Sequence, residues 1–539
     1  MYTHNNDSMD MDAFMTNIKR RYGRACFAAL IFALAPLTAK ADPLAPPDFE
    51  EDWFVVTLQD QPCGYMHALL RTVGDEVHSD SQIQIEMRRG KAVVKINVDQ
   101  NYRETPDGRP LGFKSVTSLG TIPEVLRGTI EGDQIKLVTK QFGVEHKESY
   151  PFDPEIRFAW GQLLAQRRHG LKPGDTYTVK TYEPSLKRNG PLEVTFAVHD
   201  KEPIEVLGKK RMLTRITTSL KIERAAKQGG GAKSLPLPAE GMQVDSDSWV
   251  DDEMNPIVTT VNLGFARIKM YKTSKADALK RGAPPEMFLT TIIPVNRRIG
   301  PTATRVKLRL RLKDGVRDRL PTLPETSMQH FERISDREGI LTVRRLDWDA
   351  IRKAVSSQNN DPQMRQYLSA SAVCDAGDSR IRRLSRRAVR GQKTPAEKAD
   401  ALRKFVTDYI TDKNLDVGFA TASEVARNRS GDCTEHGVLL AALARAAGLP
   451  ARGVTGLVEV PAGMAPAGDA SAFGFHMWTQ VYIDGQWVDI DAAMRQTDCQ
   501  ANHIAISLVP LGNEGLMNTA VSLIPLLGQL DIKVLDVQR

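Results

Sequence analysis

The sequence predicts an α+β protein in which antiparallel β-rich units precede a C-terminal α+β domain. Three observations lead there. Residues 42–360 carry two-residue hydrophobic alternation broken by turn residues. From about Asp361 the apolar spacing lengthens to that of helices. Near the end, a Cys at a helix start is followed in order by a His and an Asp on a β-hairpin. The chain has 539 residues, too many for one core at roughly 150 residues per domain. Its 26% charged and 41% hydrophobic residues are those of a globular chain, not a disordered one.

Residues 1–41 read as a secretory signal peptide. Lys19, Arg20, Arg21 and Arg24 form a basic n-region, residues 25–37 an apolar run, and Ala39-Lys40-Ala41 a small-x-small cleavage site ahead of Asp42-Pro43. The run falls short of the roughly 20 residues that span a membrane. The late apolar stretch 520–530 is broken by Pro525 and Gly528. The expectation is a periplasmic or secreted protein with no membrane span after cleavage.

The formal charge of +7 falls to +5 when residues 1–41, with five basic and three acidic side chains, are set aside. Spread over so large a surface, that balance excludes a nucleic-acid-binding reading. Two locally basic stretches, 305–319 and 380–390, read as the exposed faces of a strand and a helix, with contact to anionic envelope polymers as the alternative.

Residues 42–285 form the first β-rich region. Trp53-Phe54-Val55-Val56-Thr57, Ser81-Gln82-Ile83-Gln84-Ile85 and residues 93–98 read as strands, and Pro106-Asp107-Gly108 as a turn. One helical insert covers about 154–168. Residues 225–241, with Gly229-Gly230-Gly231 and two prolines, read as a flexible loop, and Asp251-Asp252-Glu253 as a turn between later strands. No catalytic cluster is visible in this region. Residues 286–360 read as a second β-rich unit, marked by the alternation Leu308-Arg309-Leu310-Arg311-Leu312. Residues 361–539, with a core at 394–510, form the C-terminal domain. It has a helix start at Thr394-Pro395-Ala396-Glu397, with Thr394 as N-cap and Glu397 closing a capping box.

The chemistry-bearing segment is Ser430-Gly431-Asp432-Cys433-Thr434-Glu435-His436-Gly437, which runs into an apolar helix stopped at Gly448-Leu449-Pro450. Cys433 then sits in the first helical turn. Unsatisfied amides and the positive end of the dipole favour a thiolate there, and the same amides can serve an oxyanion. Residues 475–483, the turn Asp484-Gly485 and residues 486–491 read as a hairpin. A two-residue loop sets Gln480 opposite Asp489 and Trp478 opposite Asp491. His476 and Asp491 become diagonal neighbours on one face, about 7–8 Å apart at the backbone. Asp491 can then orient the His476 ring while the other ring nitrogen faces the thiol. Asp489 shares that face and is the rival acid. Cys26 lies in the signal segment. Cys63, Cys374 and Cys499 remain beside Cys433, too few for a disulfide scaffold, although Cys374 and Cys499 could bridge.

Gly-Asp-Cys-Thr-Glu-His, the Ala/Leu-rich helix, Gly448-Leu449-Pro450-Ala451-Arg452, His476-x-Trp478 and Trp487-x-x-x-Asp491 together resemble the transglutaminase-like domain of the papain-like thiol-enzyme superfamily. The likeness spans about 394–491. It implies Cys433 as nucleophile, His476 as general base and acid, and Asp491 as orienting residue. Ala492-Ala493 replaces the Asp-Pro-Thr ending common in such domains. A protein or peptide substrate is implied, and no cofactor. A metal reading rests on Cys433-x-x-His436 with His476 or Asp491; it lacks a second Cys-x-x-Cys or His pair, and none is assigned. The competing class is an envelope binding or scaffold protein with a relic thiol domain, against which the intact Cys/His/Asp set argues.

Overall fold

The computed structural model describes residues 44–539 except 90–91, 120–122, 142–143, 185, 188, 223–241, 263–266, 287–291, 315–318, 354–361, 414–419, 461–470, 513–525 and 527. The expected signal peptide at 1–41 and the expected loop at 225–241 lie outside the described residues.

Strong two-residue alternation over the first half produces one 14-stranded antiparallel sheet. Eight strands, from Phe49–Leu58 to Val144–Pro151, form a meander, and six more, from Thr176–Thr181 to Arg267–Thr273, form another. The meanders join where Phe49–Leu58 pairs with Arg267–Thr273. Phe54, Met66, Ile83, Ile96, Val194, Phe196 and Met270 share one core between them. The helical insert is Ala159–His169. Glu104 holds its start by accepting from the Phe158, Trp160 and Gly161 amides at 3.2, 2.7 and 2.9 Å. The turn expected at 251–253 joins Met242–Val250 to Pro256–Asn262.

The boundary expected around 286–360 is redrawn. Arg305–Leu312 alternates exposed arginine and lysine with buried Val306, Leu308, Leu310 and Leu312. It pairs with Glu338–Arg344 on one side and with the C-terminal strand Leu530–Gln538 on the other. Upstream, Ile293–Pro294 joins the sheet of the C-terminal domain through Phe473 and Ala472. Strands of residues 286–360 thus pair with strands of the C-terminal region in two sheets. A central strand needs partners on both edges, and this segment supplies only one flank.

The C-terminal sheet runs Ile293–Pro294, Ala472–Ile483, Ala451–Glu459, His503–Val509, with Gln486–Ile490 also paired to Ala472–Ile483. Leu457, Phe473 and Ile504 share a core with Leu308, Leu341 and Leu530 of the four-stranded sheet. Met477, Val481 and Val488 share another with Leu402, Val406, Leu439, Leu440 and Leu443 of the helices. The helix Pro395–Tyr409 starts with the expected Thr394 capping box. The helix Cys433–Ala446 ends before Gly448, whose φ of +81° continues the chain in the left-handed region. Its buried Arg445 donates to the carbonyls of Ala451, Ser369, Leu511 and Pro510, tying the helix to strand Ala451–Glu459 and to two loops.

Candidate active site

Cys433 opens its helix because the residues around it close a capping box. Asp432 is the N-cap and accepts from the Thr434 amide at 2.8 Å, while Glu435 accepts from the Asp432 amide at 3.1 Å. The capping glutamate folds back over Gly431. A Cβ there would lie 2.3 Å from Glu435 Cβ, and φ is +148°, so glycine is required. Cys433 is partly exposed, whereas Cys63, Cys374 and Cys499 are buried, and all four are free. The bridge considered for Cys374 and Cys499 is not formed. Burial pushes the Cys63 thiol up to about 12 and the Cys374 thiol up to about 11.

The hairpin has the register set by its two-residue loop. Asp484 and Gly485 take φ of +45° and +85°, and Ile483 faces Gln486, Tyr482 faces Trp487, and Gln480 faces Asp489. His476 pairs across the other strand with Gly456. A Cβ at Gly456 would sit 1.9 Å from the Ile504 carbonyl oxygen, so the glycine lets strand His503–Val509 close in beside His476.

The three residues expected to act together meet. His476 Nε2 donates to Asp491 Oδ2 at 2.6 Å, with both side chains buried. The Cys433 side chain lies close enough to the same ring to strengthen its hold on a proton. Because Nε2 is engaged with Asp491, Nδ1 is the nitrogen left for the thiol. Asp491 Oδ1 accepts from the Met494 amide at 2.9 Å. The Ala492-Ala493 turn is closed by reciprocal backbone bonds between Asp491 and Gln496, and by Thr407 Oγ1 donating to the Ala492 carbonyl at 2.7 Å. Burial alone would push the His476 ring down. The Asp491 charge and hydrogen bond, joined by the Cys433 side chain, hold it well above the ordinary histidine value. Burial works the other way on Asp491, and the His476 and His503 rings hold its carboxyl well below the usual range.

The rival acid is otherwise engaged. Asp489 accepts from Trp478 Nε1 at 2.5 Å and from Gln480 Nε2 at 3.1 and 3.0 Å, and Arg452 Nε donates to Gln480 Oε1 at 2.8 Å. This chain of donors braces the hairpin, and Trp478 lies parallel to His476 with 6.1 Å between ring centroids. His436 belongs to the helix base. Its Nδ1 donates to the Asp432 carbonyl at 2.6 Å, and its buried Nε2 has no partner among the described residues.

One site residue carries no sequence signal. His503 lies 12 residues beyond Asp491, yet its Nε2 reaches Asp491 Oδ2 at 3.2 Å. Only the side-by-side placement of strands His503–Val509 and Ala451–Glu459 brings it there. His476, Asp491 and His503 offer ligand atoms within 4.8 Å of one another. The ligand set is thus not the Cys433-x-x-His436 pair weighed from the sequence. The spacing of His476 Nε2 and Asp491 Oδ2, 2.6 Å, is that of a shared proton. Two ligands about one tetrahedral zinc at about 2.0–2.1 Å stand about 3.3 Å apart.

Residues 382–492 match the family described as the transglutaminase-like superfamily. The chain thus has a C-terminal transglutaminase-like domain after antiparallel sheets, and the match supports a thiol-dependent enzyme kind. No curated protein matches the chain. Solved structures with similarity include a Cytophaga hutchinsonii protein provisionally assigned as a cysteine protease, at 16% identity over 44% of this chain and 89% of that one, with a TM-score of 0.29. The periplasmic domain of TgpA from Pseudomonas aeruginosa is 16% identical over 36% of this chain and 91% of its own, with a TM-score of 0.23. A β-barrel-like protein of domain of unknown function DUF1849 from Brucella abortus is 12% identical over 43% of this chain and 97% of its own, with a TM-score of 0.29. Among the described residues no helix is long and apolar enough to cross a membrane.

Proposed function

We propose that the chain is an exported thiol-dependent acyl-transfer enzyme acting on carboxamide or peptide bonds of a protein or peptide substrate. Cys433 is the nucleophile, His476 the general base and acid, and Asp491 the orienting residue. The observation that carries this reading is a buried His476 ring held between a partly exposed thiol at a helix N-terminus and a buried carboxylate. The basic, signal-like N-terminal sequence supports export.

In the first half-reaction the Cys433 thiolate attacks the carbonyl carbon, and the C=O electron pair moves onto oxygen. The capping box occupies the Thr434 and Glu435 amides. The Cys433 N–H, with no acceptor among the described residues, is the first-turn donor left for the oxyanion. The tetrahedral adduct collapses as the C–N bond breaks and His476 gives its proton to the leaving amine, leaving an acyl-thioester. Water then attacks while His476 takes its proton. The C–S bond breaks, the acid departs and the thiolate returns. An incoming amine in place of water gives a new amide. Water is abundant outside the cell, and hydrolysis is the favoured outcome.

Mass spectrometry of acid-quenched protein incubated with a denatured, glutamine-rich protein digest tests this. The expected result is an acyl adduct on the Cys433 peptide, absent in Cys433→Ala. No adduct, together with alkylation of Cys433 that follows an ordinary thiol near pH 8.5, would instead favour a binding protein with a relic site.

A further inference from the structure

Asp491 meets a second ring that the proposed triad does not use. His503 is 3% exposed. It approaches the same oxygen as His476, Oδ2, at 3.2 Å against 2.6 Å. Its orientation is itself fixed. The ring stands edge-on to Trp478, with centroids 5.1 Å apart and planes at 82°. Its Nδ1 lies 3.0 Å from Asn502 Oδ1 and 3.3 Å from the Gln500 carbonyl.

A carboxylate at the end of a strand can turn about Cβ–Cγ. The Met494 amide holds Oδ1, and a single further donor on Oδ2 leaves the direction of its lone pairs loosely set. A second donor from another strand fixes the carboxylate plane. The titratable groups facing the pair are Cys433 and His436 from the helix, Asp489 from the hairpin, Cys499 from the following loop, and His503 itself. Of these, among the described residues, only His503 joins His476 in hydrogen bonding to the Asp491 side chain.

We propose that His503 is a positioning residue, whose Nε2–H locks the Asp491 carboxylate so that Oδ2 points at His476 and the ring presents its other nitrogen to Cys433. This rests on the triad reading. It assigns His503 no contact with the substrate and no proton transfer.

The test compares full-length wild type with His503→Gln, His503→Asn, His503→Leu and Asp491→Asn. The readout is the rate constant for iodoacetamide alkylation of Cys433 from about pH 5 to 9, read at the Cys433 peptide. Gln can place an N–H near the position of Nε2; Asn and Leu cannot. The expected result is a loss of about tenfold near pH 6 in Asn and Leu, the size of one hydrogen bond to a charged group. Gln should return to within about twofold of wild type. A purely structural histidine predicts instead that the Gln and Asn variants behave alike, and that result overturns the proposal. The Gln/Asn comparison keeps the test decisive if the Leu variant does not fold. If Asp491→Asn slows alkylation while Asn at 503 does not, only the role of His503 is rejected. If Asp491→Asn also leaves the profile unchanged, the triad reading fails with it.

Discussion

Replacing Asp491 with Asn perturbs the candidate site at its most buried point. The substitution keeps the size of the side chain, and an amide oxygen can still accept from the Met494 amide, 2.9 Å from Oδ1. What it removes is the charge facing His476 Nε2 across 2.6 Å. Two unit charges about 4 Å apart between centres interact by about 4 kcal/mol at an effective dielectric constant of about 20. Breaking a buried pair by removing one partner costs about 3–5 kcal/mol. The retained acceptor places Asp491→Asn at the low end, about 3 kcal/mol, measured by urea unfolding of the C-terminal domain at pH 6. The kinetic consequence has a definite sign. With the carboxylate gone, burial, the largest influence on His476, is opposed only by the Cys433 side chain, and the ring's affinity for its proton falls. Cys433 then loses its imidazolium partner at neutral pH. Alkylation near pH 6 should therefore slow by about tenfold or more, the size of one hydrogen bond to a charged group. A stability loss under about 1 kcal/mol with an unchanged alkylation profile would refute the reasoning.

Four further outcomes follow from the same contacts. Asp432→Ala removes the N-cap of the Cys433 helix and should lower stability by about 1 kcal/mol and slow alkylation, both measured on one preparation. Arg445→Leu removes the guanidinium that donates to the carbonyls of Ala451, Ser369 and Pro510, while Ser371 Oγ still serves the Leu511 carbonyl. It should cost about 3 kcal/mol or more in urea unfolding. Gly456→Ala drives a Cβ to within 1.9 Å of the Ile504 carbonyl oxygen. It should reduce the thermal midpoint and the alkylation rate together by moving strand His503–Val509 away from Asp491. The His476–Asp491 pair should also shape stability against pH. Asp491 is held low, so its contribution is present above about 3.9 and fades as pH falls through its folded value. His476 is held high, so its contribution is present below about 6.5 and fades as pH rises through its folded value. The gap between wild type and His476→Ala in unfolding free energy should therefore be widest between about pH 4 and 6.5.

What was legible in the sequence was local. The Asp484-Gly485 turn fixed the hairpin register, because Asp-Gly suits the two successive left-handed residues of a tight two-residue hairpin loop. The Thr394 helix start was visible because a capping box is a four-residue pattern, and the Cys433 helix start because an apolar run follows Asp432-Cys433. The Leu308-Arg309-Leu310 alternation gave the faces of its strand but not its neighbours. Its partner at Leu530–Gln538 lies more than 200 residues away, and nothing local encodes that pairing. His503 was hidden for the same reason, since it reaches Asp491 through sheet order and not through spacing. The sequence already favoured Asp491 over Asp489. Both point to one side of the hairpin, and only the donors from Trp478 and Gln480 engage Asp489 elsewhere.

The central claim is that Cys433 and His476 work as a pair, and the most direct measurement is the pH profile of Cys433 alkylation in wild type and His476→Ala. The account predicts substantial reactivity persisting to about pH 6 in wild type. In His476→Ala the profile should follow an ordinary thiol near pH 8.5, with the rate near pH 6 reduced by about tenfold or more. Superimposable profiles that both rise near pH 8.5 would contradict it, because Cys433 would then be a thiol that happens to lie beside a histidine.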